Sequence, residues 1–109
     1  IEDVGRGEKR ELASRTAVLL AHLLKWSFPP RMRTNSWRST IRGQRRRVAP
    51  AIKVTPSLKS VMRDTVWQED IWLDARALAR KKMGLAEHEL PEACPWTMDQ
   101  AADQSFWPG

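Results

Sequence analysis

The sequence of 109 residues is poor in the residues on which β-rich and disulfide-stapled folds depend. It contains five glycines, no tyrosine and a single cysteine, Cys94. Runs of β-branched residues are few, which argues against an all-β fold. One cysteine excludes an internal disulfide and fits a reducing compartment. We therefore expect a helical protein with a cytoplasmic location.

Long apolar runs are also missing. The longest one, residues 17–21, is far shorter than the roughly 20 residues that a membrane-spanning helix needs. No basic segment followed by an apolar one suggests a secretory leader, and we expect no membrane partner. A hydrophobic content of 41% with six tryptophans is enough for a core. The length fits one helical domain over residues 1–109.

Acidic residues are absent from one long part of the chain. Between Lys25 and Lys53, here called the basic stretch, the sequence has nine basic residues and no acidic one. Residues 1–24 carry four of each sign, and residues 54–109 carry six basic and nine acidic side chains. The entire net charge of +6 therefore originates in the basic stretch. A patch of this kind attracts anionic partners.

Apolar periodicity predicts three long helices, over about residues 7–27, 36–49 and 56–83. Phe28-Pro29-Pro30 ends the first helix, and Pro50 should end or kink the second near Arg47. Thr55 and Pro56 resemble the N-cap and first position of the third helix, and Gly84 is a typical C-terminal stop.

The tail contains three further prolines, which exclude long helices there. Thr97 and Gln100 have the spacing of a capping box and predict a short helix. Apolar residues of the tail should close one end of the bundle: Leu90, Trp96, Phe106 and Trp107. The predicted fold is a small all-α antiparallel bundle of three long helices, closed by a short C-terminal helix and a proline-rich tail.

The second helix has a narrow apolar stripe formed by Trp37, Ile41, Val48 and Ile52. On a helical wheel, Arg38 and Arg45 border this stripe. We expect both arginines to lie against the bundle in structural ion pairs, because guanidinium groups are seldom buried without partners. Carboxylates of the third helix, such as Asp70 or Asp74, are the expected partners.

Arg42 and Arg46 point away from the same stripe and repel each other at a spacing of four residues. We expect these two side chains to add little to the stability of the fold, so any function they have involves a binding partner. The candidate contacts for nucleic acid or a partner protein are Arg31, Arg33, Arg42, Arg46 and Arg47.

Several runs of the sequence resemble a known family, the bacterial domain-of-unknown-function family 29. They are GRGEKRELASR (residues 5–15), HLLKW (22–26), SWRSTIRGQRRR (36–47), TPSL (55–58), DARALA (74–79), GL (84–85) and CPWTMDQ (94–100). The resemblance covers nearly the whole chain in the same order. It implies an all-helical domain with an additional acidic N-terminal helical segment, of which residues 1–4 would be the last part. It implies no activity. Pro50 departs from the pattern, in which the second helix runs on unbroken.

Enzymatic and metal sites find little support in the residues. His88 and Cys94 lie near three glutamates, but a structural zinc site needs four Cys or His ligands. Cys94 with His22 or His88 as base is a conceivable nucleophile, although a buried small thiol is the ordinary interpretation. His22 lies on the polar side of its helix beside Lys25, where both complement the helix dipole. We expect no metal, no cofactor and no enzymatic activity.

Two functional hypotheses remain. The leading one is a helical module that binds a partner protein through a charged face or an apolar groove. The alternative is nucleic-acid binding by the basic stretch, in which arginines contact phosphates while Trp26, Phe28 and Trp37 stack on bases. The sequence does not indicate the oligomeric state.

Overall fold

The structure is a computed structural model that describes residues 6–27, 35–84 and 86–108. Five α-helices and one short 3₁₀ helix account for most of these residues, and no strand occurs in the described ranges. The all-α prediction is confirmed. In chain order the elements are α1 (Arg6–Trp26), α2 (Asn35–Val54), α3 (Leu58–Arg63), α4 (Thr65–Met83), the 3₁₀ helix Glu87–Glu89 and α5 (Met98–Ala102).

Helix α1 is the centre of the bundle. Its C-terminal half is buried almost all round, because every described side chain from Leu19 to Trp26 except the half-buried His22 is buried. A helix that is apolar on all sides must be covered on all sides. Accordingly α1 packs mainly against α2 and α4, with a smaller contact to α5.

The helices alternate in direction along the chain. The guanidinium of Arg38, near the start of α2, lies 5.4 Å from the ring of Trp26 at the end of α1. Near the other end of α2, Val54 lines a common groove with Glu8 of α1. Helices α1 and α2 are therefore antiparallel, as expected for neighbours with a short connection.

Helix α2 does not end near Arg47, so this part of the prediction is wrong. It continues through Pro50 to Val54. Pro50 is exposed, while Val48 is buried and Ala51 and Ile52 are half-buried. The carbonyl that proline leaves without a helical donor can therefore be hydrated, and packing on both sides of Pro50 offsets its cost.

The single third helix predicted over residues 56–83 is also wrong, because Asp64 divides it into α3 and α4. Asp64 adopts an extended backbone conformation, and its side chain accepts hydrogen bonds from the amides of Val66 and Trp67. Short acidic side chains compete with helix continuation in this way. The side-chain Nε2 of Gln68 donates to the Met62 carbonyl at 2.6 Å and satisfies one carbonyl at the end of α3.

The C-terminal part closes the bundle as predicted. Gly84 ends α4 in the left-handed conformation, with φ of 65°. Thr97 and Gln100 form both hydrogen bonds of a capping box at the start of α5. The indole N–H of Trp72 on α4 donates to the carbonyls of Pro91 and Glu92, each at 3.1 Å. Within the described ranges, none of the helices has the length and apolar content to cross a bilayer.

Candidate functional site

Arg45 is the one fully buried arginine of the described basic stretch, with none of its surface exposed. Its Nε donates to the carbonyl of Ala101 at 2.8 Å, and its Nη2 donates to the carbonyl of Phe106 at 2.7 Å. The expected burial of Arg45 is found, but the expected partners are wrong. Asp70 and Asp74 are both exposed, and backbone carbonyls of the tail take their place.

The charge of Arg45 is therefore only weakly compensated. Its two acceptors are neutral, and its remaining terminal nitrogen, Nη1, is buried without a hydrogen-bond partner. Burial lowers the pKa of Arg45 from its ordinary value, and the carboxylate of Asp103 acts in the opposite direction. Asp103 is exposed, and its Oδ1 accepts hydrogen bonds from the backbone N–H and hydroxyl of Ser105.

Three guanidinium groups surround the ring of Trp107, and we call these four residues the Trp107 cluster. The guanidinium carbons of Arg45, Arg42 and Arg38 lie 5.3, 5.8 and 6.0 Å from the ring centroid. Such distances are typical of cation–π contacts. Arg38 was expected to pair with a carboxylate, yet it is exposed and lies over indole rings instead. Its position on α2 explains this, because the tail, and not the acidic side of α4, covers that side of the helix.

The other candidate contact residues fall into two groups. Arg46 and Arg47 are exposed on α2, as predicted for Arg46, and both line a groove between α1 and α2. Arg31 and Arg33 lie outside the described residues. The structure thus places Arg42 in the Trp107 cluster and Arg46 and Arg47 beside the groove.

The α1–α2 groove has a volume of about 670 Å³ and is lined along its floor by apolar side chains. Several of these belong to the core or its edge, and Val54 keeps 79% of its surface exposed. The apolar lining residues are Leu12, Val48, Pro50, Ala51, Val54 and Leu58. The sequence predicted the helices but not this groove, because its floor is assembled from three separate elements.

The rim of the α1–α2 groove is charged. Glu8 and Glu11 come from α1, and Arg46 and Arg47 come from α2. Glu11 already pairs with Arg15, whose Nη2 lies 2.8 Å from its carboxylate. The basic side of the rim is therefore the less compensated one.

A second depression of about 410 Å³ shares Glu11 and Arg15 with the groove and extends it along α1 to Val18. Gln44 of α2 lines this extension, and its side-chain Oε1 is buried without a donor. A buried acceptor of this kind gains free energy when a donor reaches it.

A separate polar pair, His22 and Lys25, lies at the C-terminal end of α1. The Nδ1 of His22 donates to the Val18 carbonyl at 2.9 Å, because a carbonyl oxygen can only accept. Nε2 is then the acceptor for Lys25 Nζ at 3.3 Å. Lys25 is buried, with 3% of its surface exposed, and its ammonium lies 4.9 Å from the ring of Trp37. Burial chiefly, and then the charge of Lys82, lower the pKa of Lys25.

The residues considered for metal binding or covalent chemistry are not brought together. Cys94 is half-buried, its thiol donates to the Trp96 carbonyl at 3.3 Å, and burial raises its pKa. His88 is exposed on the 3₁₀ helix. In the part of the chain that the structure describes, no three His, Cys, Asp or Glu side chains form a group suited to a metal ion.

Comparison with known proteins gives one assignment. Residues 1–107 match the family described as Domain of unknown function DUF29. The chain belongs to this family. No curated protein and no solved structure matches it. Two of the sequence runs that resemble the DUF29 family contain residues that hold the tail in place. Arg45 donates hydrogen bonds to the tail, and Trp96 packs against Trp72.

We predict that Arg45→Met destabilises this DUF29 domain by about 3 kcal/mol, because two hydrogen bonds from a charged donor are lost and two carbonyls are left without that donor. The methionine keeps most of the aliphatic volume. Thermal unfolding should show a melting temperature lower by roughly 15 °C. Arg46→Met, on the exposed side of the same helix, is the matched control and should change little. Equal effects of the two substitutions would contradict the assigned role.

We also predict a pH-dependent contribution from His22. The pKa of His22 lies below its ordinary 6.5, chiefly because the ring is partly buried. The hydrogen bond to Val18 raises this pKa, whereas the charges of Lys25 and Lys82 lower it further. The unfolded chain then binds more protons in the window just below pH 6.5. This contribution to stability is fully present above pH 6.5 and decreases as the pH falls through the lowered pKa.

The measurement is urea unfolding between pH 7.5 and 5.5. His22→Gln should lose less stability across this range than the unsubstituted protein, since glutamine does not titrate. His88→Gln, at an exposed position, is the control and should keep the full pH dependence. If the stability of His22→Gln depends on pH as strongly as that of the unsubstituted protein, His22 is not the source of the pH dependence.

Proposed function

We propose that this DUF29 chain is a non-enzymatic protein-interaction module whose α1–α2 groove binds an acidic amphipathic helix of a partner protein. The apolar floor of the groove is the observation that carries the proposal. An apolar groove with a charged rim is typical of helix-binding sites. The proposal needs no covalent chemistry. We place the module in the cytoplasm, a location that its single thiol favours.

Burial of the apolar residues of the floor would stabilise the complex with the partner. Val54 is the most exposed large apolar side chain among the described residues, and it lines the groove. Covering a valine side chain contributes roughly 1.5 kcal/mol or more. Leu12 and Leu58 beneath it are already buried and provide a fixed surface against which apolar side chains can pack.

The charges of the rim favour an acidic partner. Arg46 and Arg47 form no ion pair in the described structure, whereas Glu11 is neutralised by Arg15. Carboxylates on the polar side of a bound helix would meet these two arginines. Glu8 on the opposite rim would favour a basic residue at one position, and this asymmetry would fix the direction in which the helix binds.

The length of the groove suits a helix of two to three turns. Along α2 its lining extends from Arg46 to Val54, and eight residues of helix rise about 12 Å. A helix of this length carries about three apolar residues on one face.

The probe for this proposal is a synthetic helical peptide with leucine at i, i+3, i+7 and i+10 and glutamate on the opposite face. We expect it to bind the full chain, measured by fluorescence anisotropy. Val54→Glu should weaken binding at least about tenfold, because it puts a charge on the apolar floor. Arg46→Glu with Arg47→Glu should weaken binding and reduce its dependence on salt concentration.

Two controls make the result specific. Val66→Glu places the same charge at another exposed valine, on α4 and away from the groove, and should bind like the unsubstituted chain. A peptide of the same composition without the leucine spacing should not bind. If Val54→Glu and Val66→Glu have the same affinity as the unsubstituted chain, the groove is not the binding site.

Nucleic-acid binding is the second candidate, and the absence of any carboxylate on α2 favours it. Arg42 and Arg46 are exposed one helical turn apart, in a position to contact phosphates. Trp26, however, has only 6% of its surface exposed, so its ring is not accessible to a base. Phe28 lies outside the described residues, and Trp37 is half-buried. Contact with phosphates through the arginines is therefore the mode of binding that the described residues support.

We predict that a nucleic-acid complex, if formed, depends on these arginines in a salt-sensitive way. Arg42→Ala with Arg46→Ala should reduce the slope of log affinity against log salt by about 1 to 2, as for the loss of two phosphate contacts. Mobility assays with mixed DNA and RNA over a salt series measure this slope. Lys81→Ala with Arg80→Ala, two exposed basic residues of α4, is the control. An unchanged slope in the α2 variant excludes this second candidate.

A further inference from the structure

The Trp107 cluster brings three positive charges together, and few negative charges in the described structure compensate them. Three guanidinium groups lie within 6.0 Å of one ring centroid. The neighbouring carboxylate is that of Asp103, which already accepts two hydrogen bonds from Ser105. Arg38 and Arg42 are separated by four residues on one helix, a spacing at which like charges repel each other.

The cluster also contains hydrogen-bond donors without acceptors. Arg45 uses two of its nitrogens on the carbonyls of Ala101 and Phe106, and its buried Nη1 has no partner. Guanidinium groups present several N–H donors in a planar arrangement that matches the oxygens of phosphates and carboxylates. A buried cation with neutral acceptors and an unpaired N–H gains most from an anion nearby.

From this geometry we infer that Arg38 and Arg42 form a binding site for a phosphate group at the Trp107 ring, next to the buried charge of Arg45. Arg45 is the fixed charge of the site, because the tail holds its side chain through two hydrogen bonds. Arg38 and Arg42 are exposed and can adjust around the ligand. A phosphate carries close to two charges at neutral pH, so it compensates this cluster better than a single carboxylate does.

The phosphate site does not depend on the function proposed for the α1–α2 groove. Arg46 and Arg47 line the groove, whereas Arg38 and Arg42 contact the Trp107 ring and do not line the groove. A failure of peptide binding would leave the phosphate site unaffected, and the reverse also holds. The phosphate has two sources with the same chemistry, a small phosphorylated molecule or a nucleic-acid backbone.

The test is a titration of the full, isotope-labelled chain with sodium pyrophosphate at constant ionic strength, followed by NMR of the Trp107 indole N–H and the Arg45 Nε–H. We expect saturable shifts of these two resonances. Arg38→Gln with Arg42→Gln should weaken the binding at least about tenfold, since two charged hydrogen-bond donors are lost. Both positions are exposed, so the variant should remain folded, which its melting temperature checks.

Arg46→Gln with Arg47→Gln is the matched control, because it removes the same charge from the same helix outside the cluster. It should bind pyrophosphate like the unsubstituted chain. A single-stranded oligonucleotide distinguishes the two sources. If it shifts the same resonances at lower phosphate concentration and is displaced by pyrophosphate, nucleic acid supplies the phosphate; if it is no better than pyrophosphate, a small molecule does.

Two results would overturn the inference. One is the absence of saturable shifts at Trp107 and Arg45 in the unsubstituted chain. The other is equal binding by the Arg38→Gln, Arg42→Gln variant and the Arg46→Gln, Arg47→Gln variant, which would indicate a general effect of net charge.

Discussion

The need to cover the C-terminal half of α1 on every side is the constraint on which the rest of the structure depends. Leu19, Leu20, Leu23 and Leu24 each keep at most 1% of their surface exposed, although they point in different directions around the helix. No single partner helix could bury them all. Helices α2 and α4 therefore lie on two sides of α1, with a smaller contribution from α5. The other elements follow from this arrangement, since α3 and the tail connect and close the helices around α1.

This arrangement also determines what α2 exposes. Its apolar stripe is narrow, with Ile41 and Val48 fully or almost fully buried, and its remaining surface is rich in arginine. The tail covers one side of α2 and thereby forms the Trp107 cluster. The other side is left open beside the N-terminal half of α1, which forms the α1–α2 groove. One weakly apolar helix therefore carries both of the proposed binding surfaces.

The buried Arg45 links the basic stretch of the chain to its C-terminal tail. Arg45 lies in the middle of the basic stretch, yet its hydrogen bonds reach carbonyls 56 and 61 residues further along the chain. These bonds hold the tail against α2 and position Trp107 among the arginines. An arginine suits this role better than a lysine, because its planar donors can serve two carbonyls while its ring partner stacks against it. Stability and the positive potential of the candidate phosphate site thus depend on one side chain.

Helix α1, the C-terminal end of α4 and the short capped helix α5 could be predicted from the sequence because local interactions determine them. The periodicity of α1, the left-handed stop at Gly84 and the capping box of Thr97 each involve residues only a few positions apart. The burial of Arg45 was also predictable, since its position beside Ile41 and Val48 follows from the helical period. These properties depend on short stretches of sequence and can be predicted without knowing which other elements pack against them.

The tertiary structure alone decided which groups meet. Pro50 remains inside α2 because Val48 before it and Ala51 and Ile52 after it pack against the core. Asp64 ends α3 because its cap competes with a helix that periodicity alone would continue. Arg45 finds carbonyls and not Asp70 or Asp74, because the tail, distant in sequence, covers its side of α2. The groove follows from the spacing between α1, α2 and α3. Such contacts depend on the free energy of packing the whole chain, which no local pattern contains.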